Sequence, residues 1–180
     1  MNATLTRRSA LLGASAIVLT GCASAPVPAD YAKETPTLDL RTYFNGPLLA
    51  HGLFTDRGGR VVRRFIVKLK GTWTGDVGVL EEDFEYSDGA KERRVWTLRY
   101  LGDGRYSGTA GDVLGEAQGQ AAGNAFRWAY TLKLPVDGSV YEVNFDDWMY
   151  LVDERIMLNK AKMSKFGFGL GEVTLSFQKL

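Results

Sequence analysis

The sequence predicts an all-β domain, an antiparallel up-and-down barrel or a strongly curled sheet of about eight to ten strands. Three observations predict it. From about Leu49 onward the chain is punctuated by turn signals: Arg57-Gly58-Gly59-Arg60, Asp88-Gly89, Gly102-Asp103-Gly104 and Pro135-Val136-Asp137-Gly138. Between them lie runs rich in Val, Thr, Phe, Tyr and Trp, the residues that suit a pleated surface. Several of those runs alternate with period two, and no long helical pattern follows residue 21. A two-sheet sandwich is the main rival.

The N-terminus has the three parts of an export signal in order. Arg7 and Arg8 supply positive charge, Ala10 to Thr20 an apolar run, and Gly21 a small residue before a cut. That run is much shorter than the roughly 20 residues a membrane-spanning helix needs. The stretch Leu19-Thr20-Gly21-Cys22 resembles the lipobox of bacterial lipoproteins. The resemblance implies that residues 1–21 are removed and that Cys22 is lipidated and becomes the first residue of the mature chain. Thr6-Arg7-Arg8-Ser9-Ala10-Leu11 also resembles a twin-arginine export motif, with Ala10 where a bulky apolar residue is usual; both export routes stay open. Ala23 stands where an Asp would mark retention at the inner membrane of enteric-type bacteria, so the expected location is the envelope, facing the periplasm, with the outer membrane favoured.

Cys22 is the only cysteine, so with its sulfur lipidated the domain has no disulfide and stands on its core. One buried acyl chain anchors only marginally, at about 0.8 kcal/mol per methylene, whereas several hold durably. Loss of residues 1–21 leaves 20 basic against 21 acidic residues, a balance that excludes nucleic acid as an expected partner. The remaining 159 residues make one domain, expected over residues 37–180, which buries about two thirds of its unfolded surface. Residues 22–36, rich in Ala, Pro and small polar side chains, read as a flexible tether between membrane and domain.

Around Leu38 to Phe44 a short helical turn is expected to close one end. Next, Phe65, Val67, Leu69 and Trp73 fall on one side of their run and Arg64, Lys68 and Lys70 on the other; Val173, Leu175 and Phe177 repeat the pattern near the C-terminus. Across Asp88-Gly89, a three-residue loop Asp88–Ala90 would set Glu85 opposite Arg93 on the outer face. The inner face then collects Leu80, Glu82, Phe84 and Tyr86 with Arg94, Trp96, Leu98 and Tyr100, and Glu82 and Arg94 become diagonal neighbours among aromatics. Charges there are costly unless paired or wet. They are a structural ion pair, or Arg94 binds a ligand's carboxylate or phosphate. A two-residue loop would instead invert one strand.

Gly111, Gly115, Gly119 and Gly123 recur at spacing four beside Asp112, Glu116 and Asn124, and read as two short Gly-bent strands or a flap over an opening. In Phe145-Asp146-Asp147-Trp148-Met149-Tyr150 the alternation from Tyr141 and Val143 puts Asp147 on the apolar side. It sends Asp146 to the opposite face, so the two acids do not clamp one ion and no metal is expected. His51 is the only histidine, which excludes a two-His metal site and leaves a nucleophile triad only that one residue to build on. No phosphate loop, dinucleotide fingerprint or Gly-x-Ser-x-Gly elbow is present, and no cofactor is expected.

The motifs Phe44-Asn45-Gly46-Pro47, Asp56-Arg57 to Phe65, Glu82-Asp83-Phe84, Arg94-Val95-Trp96, Gly102-Asp103-Gly104-Arg105-Tyr106, Phe145-Asp146-Asp147-Trp148-Met149 and Met163-Ser164-Lys165-Phe166-Gly167 are similar to those of domain-of-unknown-function family 3833. The resemblance runs from about Leu40 to the end. It implies a bacterial, mainly proteobacterial, lipoprotein; it carries over no activity and no catalytic residue. The barrel it accompanies is similar to lipocalin-like folds, and fold does not settle function.

Three functions are expected of such a chain. The first is binding or carrying a lipid or other amphiphile, with Glu82, Arg94, Trp96, Trp128 and Asp147 as candidate ligand-binding residues on an aromatic inner face. The second is a structural or protein-partner role, favoured if the barrel is filled by its own side chains. The third is an enzyme acting on a lipid or envelope substrate, with Asp147, Glu82 or His51 as acid or base. The presence or absence of an internal cavity discriminates among them.

Overall fold

The structure, a computed structural model, describes residues 24–136 and 138–180. The expected signal segment and Cys22 lie outside the described residues. Among the described residues, ten strands follow one another in the order β1 (Gly46–Asp56), β2 (Val61–Thr74), β3 (Val77–Tyr86), β4 (Lys91–Tyr100), β5 (Arg105–Thr109), β6 (Ala117–Ala122), β7 (Ala125–Val136), β8 (Ser139–Leu151), β9 (Ile156–Lys165) and β10 (Phe168–Lys179). Each pairs antiparallel with its sequence neighbour, and β1 pairs with β10 from Leu48–Lys179 to Asp56–Gly171. The sheet is thus a closed up-and-down barrel, not a sandwich, and closure leaves no open edge to aggregate.

The period-two pattern decides which face is which. Phe65, Val67, Leu69, Val173 and Phe177 are buried inside. The outer face carries Lys68 paired with Glu85, Arg93 with Glu81 and Asp83, and Lys160 with Glu172. Charges spread over that face are the opposite of the apolar outer band of a membrane-spanning barrel.

The β3–β4 hairpin corrects the expected register. Its loop is Ser87–Gly89, closed by the Tyr86 amide donating to the Ala90 carbonyl at 2.9 Å, with Gly89 at φ 85°. Glu85 therefore faces Lys91 and Asp83 faces Arg93, while Glu82 stands directly opposite Arg94 rather than diagonal to it. The loop keeps three residues and slides by one, which moves each pairing by two and leaves both faces as expected.

One end is plugged by α1 (Leu40–Tyr43), the expected helical turn. Asp39 caps it, accepting from the Arg41 amide at 2.8 Å and from the Tyr106 hydroxyl at 3.0 Å. Tyr43 donates to the carbonyls of Arg155 and Phe177 at 3.0 and 3.2 Å, and Phe44 meets Phe177 edge to face at 5.6 Å. The Trp73 indole donates to the Phe44 carbonyl at 3.2 Å. Gly71 lets that carbonyl lie against the strand, because a Cβ there would collide with it.

The expected tether stops short of Pro36. Pro28–Tyr31 forms a 3₁₀ turn on the outside of the plugged end, where the Tyr31 ring meets Trp148 at 5.8 Å and Tyr150 at 5.3 Å. The Tyr31 carbonyl sits against Gly123 in the β6–β7 turn, and the Leu38 amide donates to the Gly123 carbonyl at 2.8 Å. Apolar and aromatic side chains in a stretch of low overall hydropathy made this docking hard to see in the sequence.

Candidate functional site

The barrel is hollow. Its interior holds a cavity of about 1100 Å³, floored by Leu40 and Phe44 of the plug and open at the other end between the β1–β2, β3–β4, β7–β8 and β9–β10 turns. Ten strands explain the room, since about eight already enclose only enough space for side chains or one small ligand.

The wall made by β1, β2 and β10 is apolar, with Phe54, Phe65, Val67, Leu69, Leu175 and Phe177. Across from it the aromatic residues of β4, β7 and β8 interlock: Trp96 lies 5.8 Å from Trp128 and 5.6 Å from Tyr130, and Tyr130 stacks on Phe145 at 5.1 Å. Small residues on β6 make this possible. Gly119 leaves the space that the Trp128 and Phe126 rings occupy, so part of the glycine row exists to seat aromatics, while Gly115 and Gly123 turn the chain at φ 71° and 53°.

All five candidate residues line this cavity: Glu82, Arg94, Trp96, Trp128 and Asp147. The structure adds three that the sequence reading missed, Asp112, Tyr130 and Asn159. Asp112 comes from the expected flap, which is not loose. Its segment runs along the upper half of β7, where β6 has ended, with the Lys133 amide donating to the Asp112 carbonyl and Leu114 donating to Thr131, both at 2.8 Å. This places the Asp112 carboxylate on Arg94, which donates through Nε at 2.9 Å and Nη2 at 2.7 Å. Arg94 also has Glu82 and Glu92 at 3.7 Å. Burial works against the charge on Arg94, but Glu82 and Asp112 more than offset it and the guanidinium stays charged.

Burial pushes the Glu82 carboxyl up to about 7, with Arg94 opposing, and pushes Asp147 up to about 6, with Asn159 and Tyr130 opposing. Asp147 accepts from the Tyr130 hydroxyl at 3.1 Å and from the Asn159 amide nitrogen. The same nitrogen donates to the Trp148 carbonyl at 3.1 Å, leaving the Asn159 Oδ1 buried without a partner. Asn159 and Tyr130 were legible in principle, since each falls on the inward alternation of its strand, with Met157 and Ala161 and with Trp128 respectively.

Two other expectations are settled by position. Asp146 points outward and pairs with Arg127 at 2.6 Å, so the two adjacent acids lie on opposite faces. His51, the third candidate acid or base, is exposed on the outer face of β1 and does not line the cavity, which leaves Glu82 and Asp147 as the two candidates inside it. Among the described residues, no group of three or more His, Cys, Asp or Glu side chains is arranged to hold a metal ion.

A closed antiparallel barrel with a deep, one-ended cavity and a polar arc on one wall defines a cavity-bearing barrel compatible with ligand binding. The chain belongs to the family of proteins of unknown function DUF3833, whose pattern matches residues 16–179. Its fold is also similar to a solved structure described as the de novo design of a fluorescence-activating β-barrel. The two share 11% sequence identity and a TM-score of 0.43, over 79% of this chain and 99% of that one. No curated protein sequence matches the chain.

Proposed function

We propose that this protein is a lipid-anchored protein of the bacterial envelope that binds a lipid or other amphiphile in its barrel. The observation that carries this reading is the cavity of about 1100 Å³, just above the range of about 300–1,000 Å³ usual for small-molecule sites and lined mostly by apolar and aromatic side chains. A barrel acting only as a filled structural body has no use for that room. The apolar lining continues onto the mouth, where Val62 and Leu170 line the opening and Val140, Phe166 and Phe168 stand exposed beside it.

The N-terminal signal and Cys22 supply the anchor, facing the periplasm, with the outer membrane favoured by Ala23. From Cys22 to Pro28, where the chain docks on the plugged end, six residue steps reach roughly 20 Å at full extension. An anchor that short holds the plugged end near the membrane and turns the mouth toward the periplasm.

Native mass spectrometry with lipid extraction on the protein purified from the periplasmic face tests the reading. A bound amphiphile in near-stoichiometric amount is the expected result. An unliganded mass that persists after incubation with envelope lipids would overturn it.

A further inference from the structure

The polar arc of the cavity wall is badly matched to an anionic headgroup. An arginine inside an apolar cavity ordinarily marks a carboxylate or phosphate site. Here Arg94 is engaged by Asp112 through Nε and Nη2, at 2.9 and 2.7 Å, and faces Glu82 and Glu92 at 3.7 Å as well. Deep in the cavity an incoming carboxylate would meet one cation already surrounded by three acids, since the other lining cations, Arg63, Lys91 and Lys133, stand near the turns at the mouth.

The remainder of the arc carries acids and no further cation. Glu82 and Asp147 are 8% and 5% exposed, and Asp147 has no cation within bonding distance, only the Tyr130 hydroxyl and the Asn159 amide. Asn159, 2% exposed and on the cavity wall, holds a carbonyl oxygen with no partner. Its orientation is fixed independently of Asp147: the Trp148 carbonyl accepts and cannot donate, so the amide nitrogen must face it and Oδ1 is the free atom. A buried acceptor without a donor is costly, about 1–3 kcal/mol, unless something arrives to satisfy it. The faces of Trp96, Tyr130 and Phe145 border the same arc and favour cations within about 6 Å of a ring.

We infer that the cavity is a site for a cationic amphiphile: an apolar chain lying against β1, β2 and β10, with a protonated amine drawn to the wall that carries Glu82, Asp147 and the free Asn159 oxygen. This rests on the proposed amphiphile binding and names the chemistry of the ligand's polar end. The amine supplies the donor that Asn159 lacks, the cation that Asp147 lacks and a second cation beside Glu82, whose Arg94 at 3.7 Å is shared with Asp112. The raised carboxyls of Glu82 and Asp147 then ionise on binding and release protons. The charged and titratable groups around them are Arg94, Asp112, Tyr130 and Asp146.

The test is calorimetric titration of the full chain in lipid nanodiscs, with empty nanodiscs as blank, using three probes of one chain length: octylamine, octanol and octanoate. Octylamine is expected to bind at least tenfold tighter than octanol, and octanoate more weakly than octanol. In the Glu82→Gln/Asp147→Asn double variant the ratio of amine to alcohol affinity should fall to near one. On the unaltered protein, titration near pH 6 in two buffers of different ionisation enthalpy should show proton release with octylamine and none with octanol. Octanoate binding as tightly as octylamine, or amine binding without proton release, would overturn the inference and leave amphiphile binding standing. If octanol and both charged probes all fail to bind, amphiphile binding itself falls.

Discussion

Glu82 and Arg94 face each other directly across β3 and β4, yet the Arg94 guanidinium closes to 2.7 Å on Asp112 and stays 3.7 Å from Glu82. The partner that is close in sequence is the weaker one, and the partner 18 residues away is the bidentate one. Removing the shared cation leaves two carboxyls facing each other on a largely buried wall. Arg94→Met should therefore destabilise the barrel by about 3 kcal/mol, the scale seen when one member of a buried ion pair is removed. Asp112→Asn should cost less, about 1–2 kcal/mol, because the amide still accepts from Arg94. Urea unfolding of the two single variants and the double variant should give a coupling energy above about 1 kcal/mol; additive effects would mean the two side chains act independently.

The two raised carboxyls make stability depend on pH in the unusual direction. In the unfolded chain Glu82 and Asp147 release protons near their ordinary values of 4.5 and 3.8, whereas in the folded protein they hold them to about 7 and about 6. Between those limits the folded state binds more protons, so their contribution to stability is complete in acid and is lost as pH rises toward 7. Asp39 and Asp153, held below the usual range by hydrogen bonds, act oppositely, and their contribution is lost only in stronger acid. Glu82→Gln should raise the melting temperature at about pH 8 and leave it unchanged near pH 4. Thermal scans across that range check it, and a variant less stable at alkaline pH would contradict the burial argument.

Gly119 is the seat of Trp128. A methyl group on its Cα would lie inside the space of the Trp128 and Phe126 rings, two of the largest side chains in the core. Gly119→Ala should cost about 1–3 kcal/mol, the range for forcing extra volume into a packed interior. Gly111→Ala, with nothing near its Cα, serves as the control and should unfold at the same urea concentration as the unaltered protein.

How far the sequence reveals all this depends on the range of the interaction. Inward and outward faces follow from local alternation, so Phe65, Val67, Glu82, Trp96 and Asp147 were placed inside without knowing any partner strand. Register depends on one loop, and the Ser87–Gly89 turn slid the β3–β4 pairing by a step that no local pattern encodes. The Arg94–Asp112 pair depends on β6 ending early so that a glycine-bearing segment takes its place along β7; only tertiary pairing shows it. Hollowness is further still from the sequence, since ten strands and eight strands alternate alike and differ only in how much space they enclose.

Phe166 stands at the tip of the β9–β10 turn in left-handed backbone, φ 51°, with 86% of its surface exposed. Asn or Gly normally occupies that position in a two-residue hairpin turn, because a bulky side chain is strained there by about 1–2 kcal/mol. Only the Lys165 ammonium, 5.2 Å over the ring, sets anything against the strain, and the neighbouring Phe168 is 76% exposed as well, beside the mouth of the cavity. Two aromatic rings held in solvent at the opening suit contact with an apolar donor surface. Phe166→Asn should therefore stabilise the fold by about 1 kcal/mol while slowing loading of a fluorescent amphiphile from vesicles. Equilibrium affinity should change little, since the ring lies outside the cavity lining. Stopped-flow transfer and thermal unfolding on the same variant separate the two effects, and unchanged loading with raised stability would leave the exposed ring without a role in uptake.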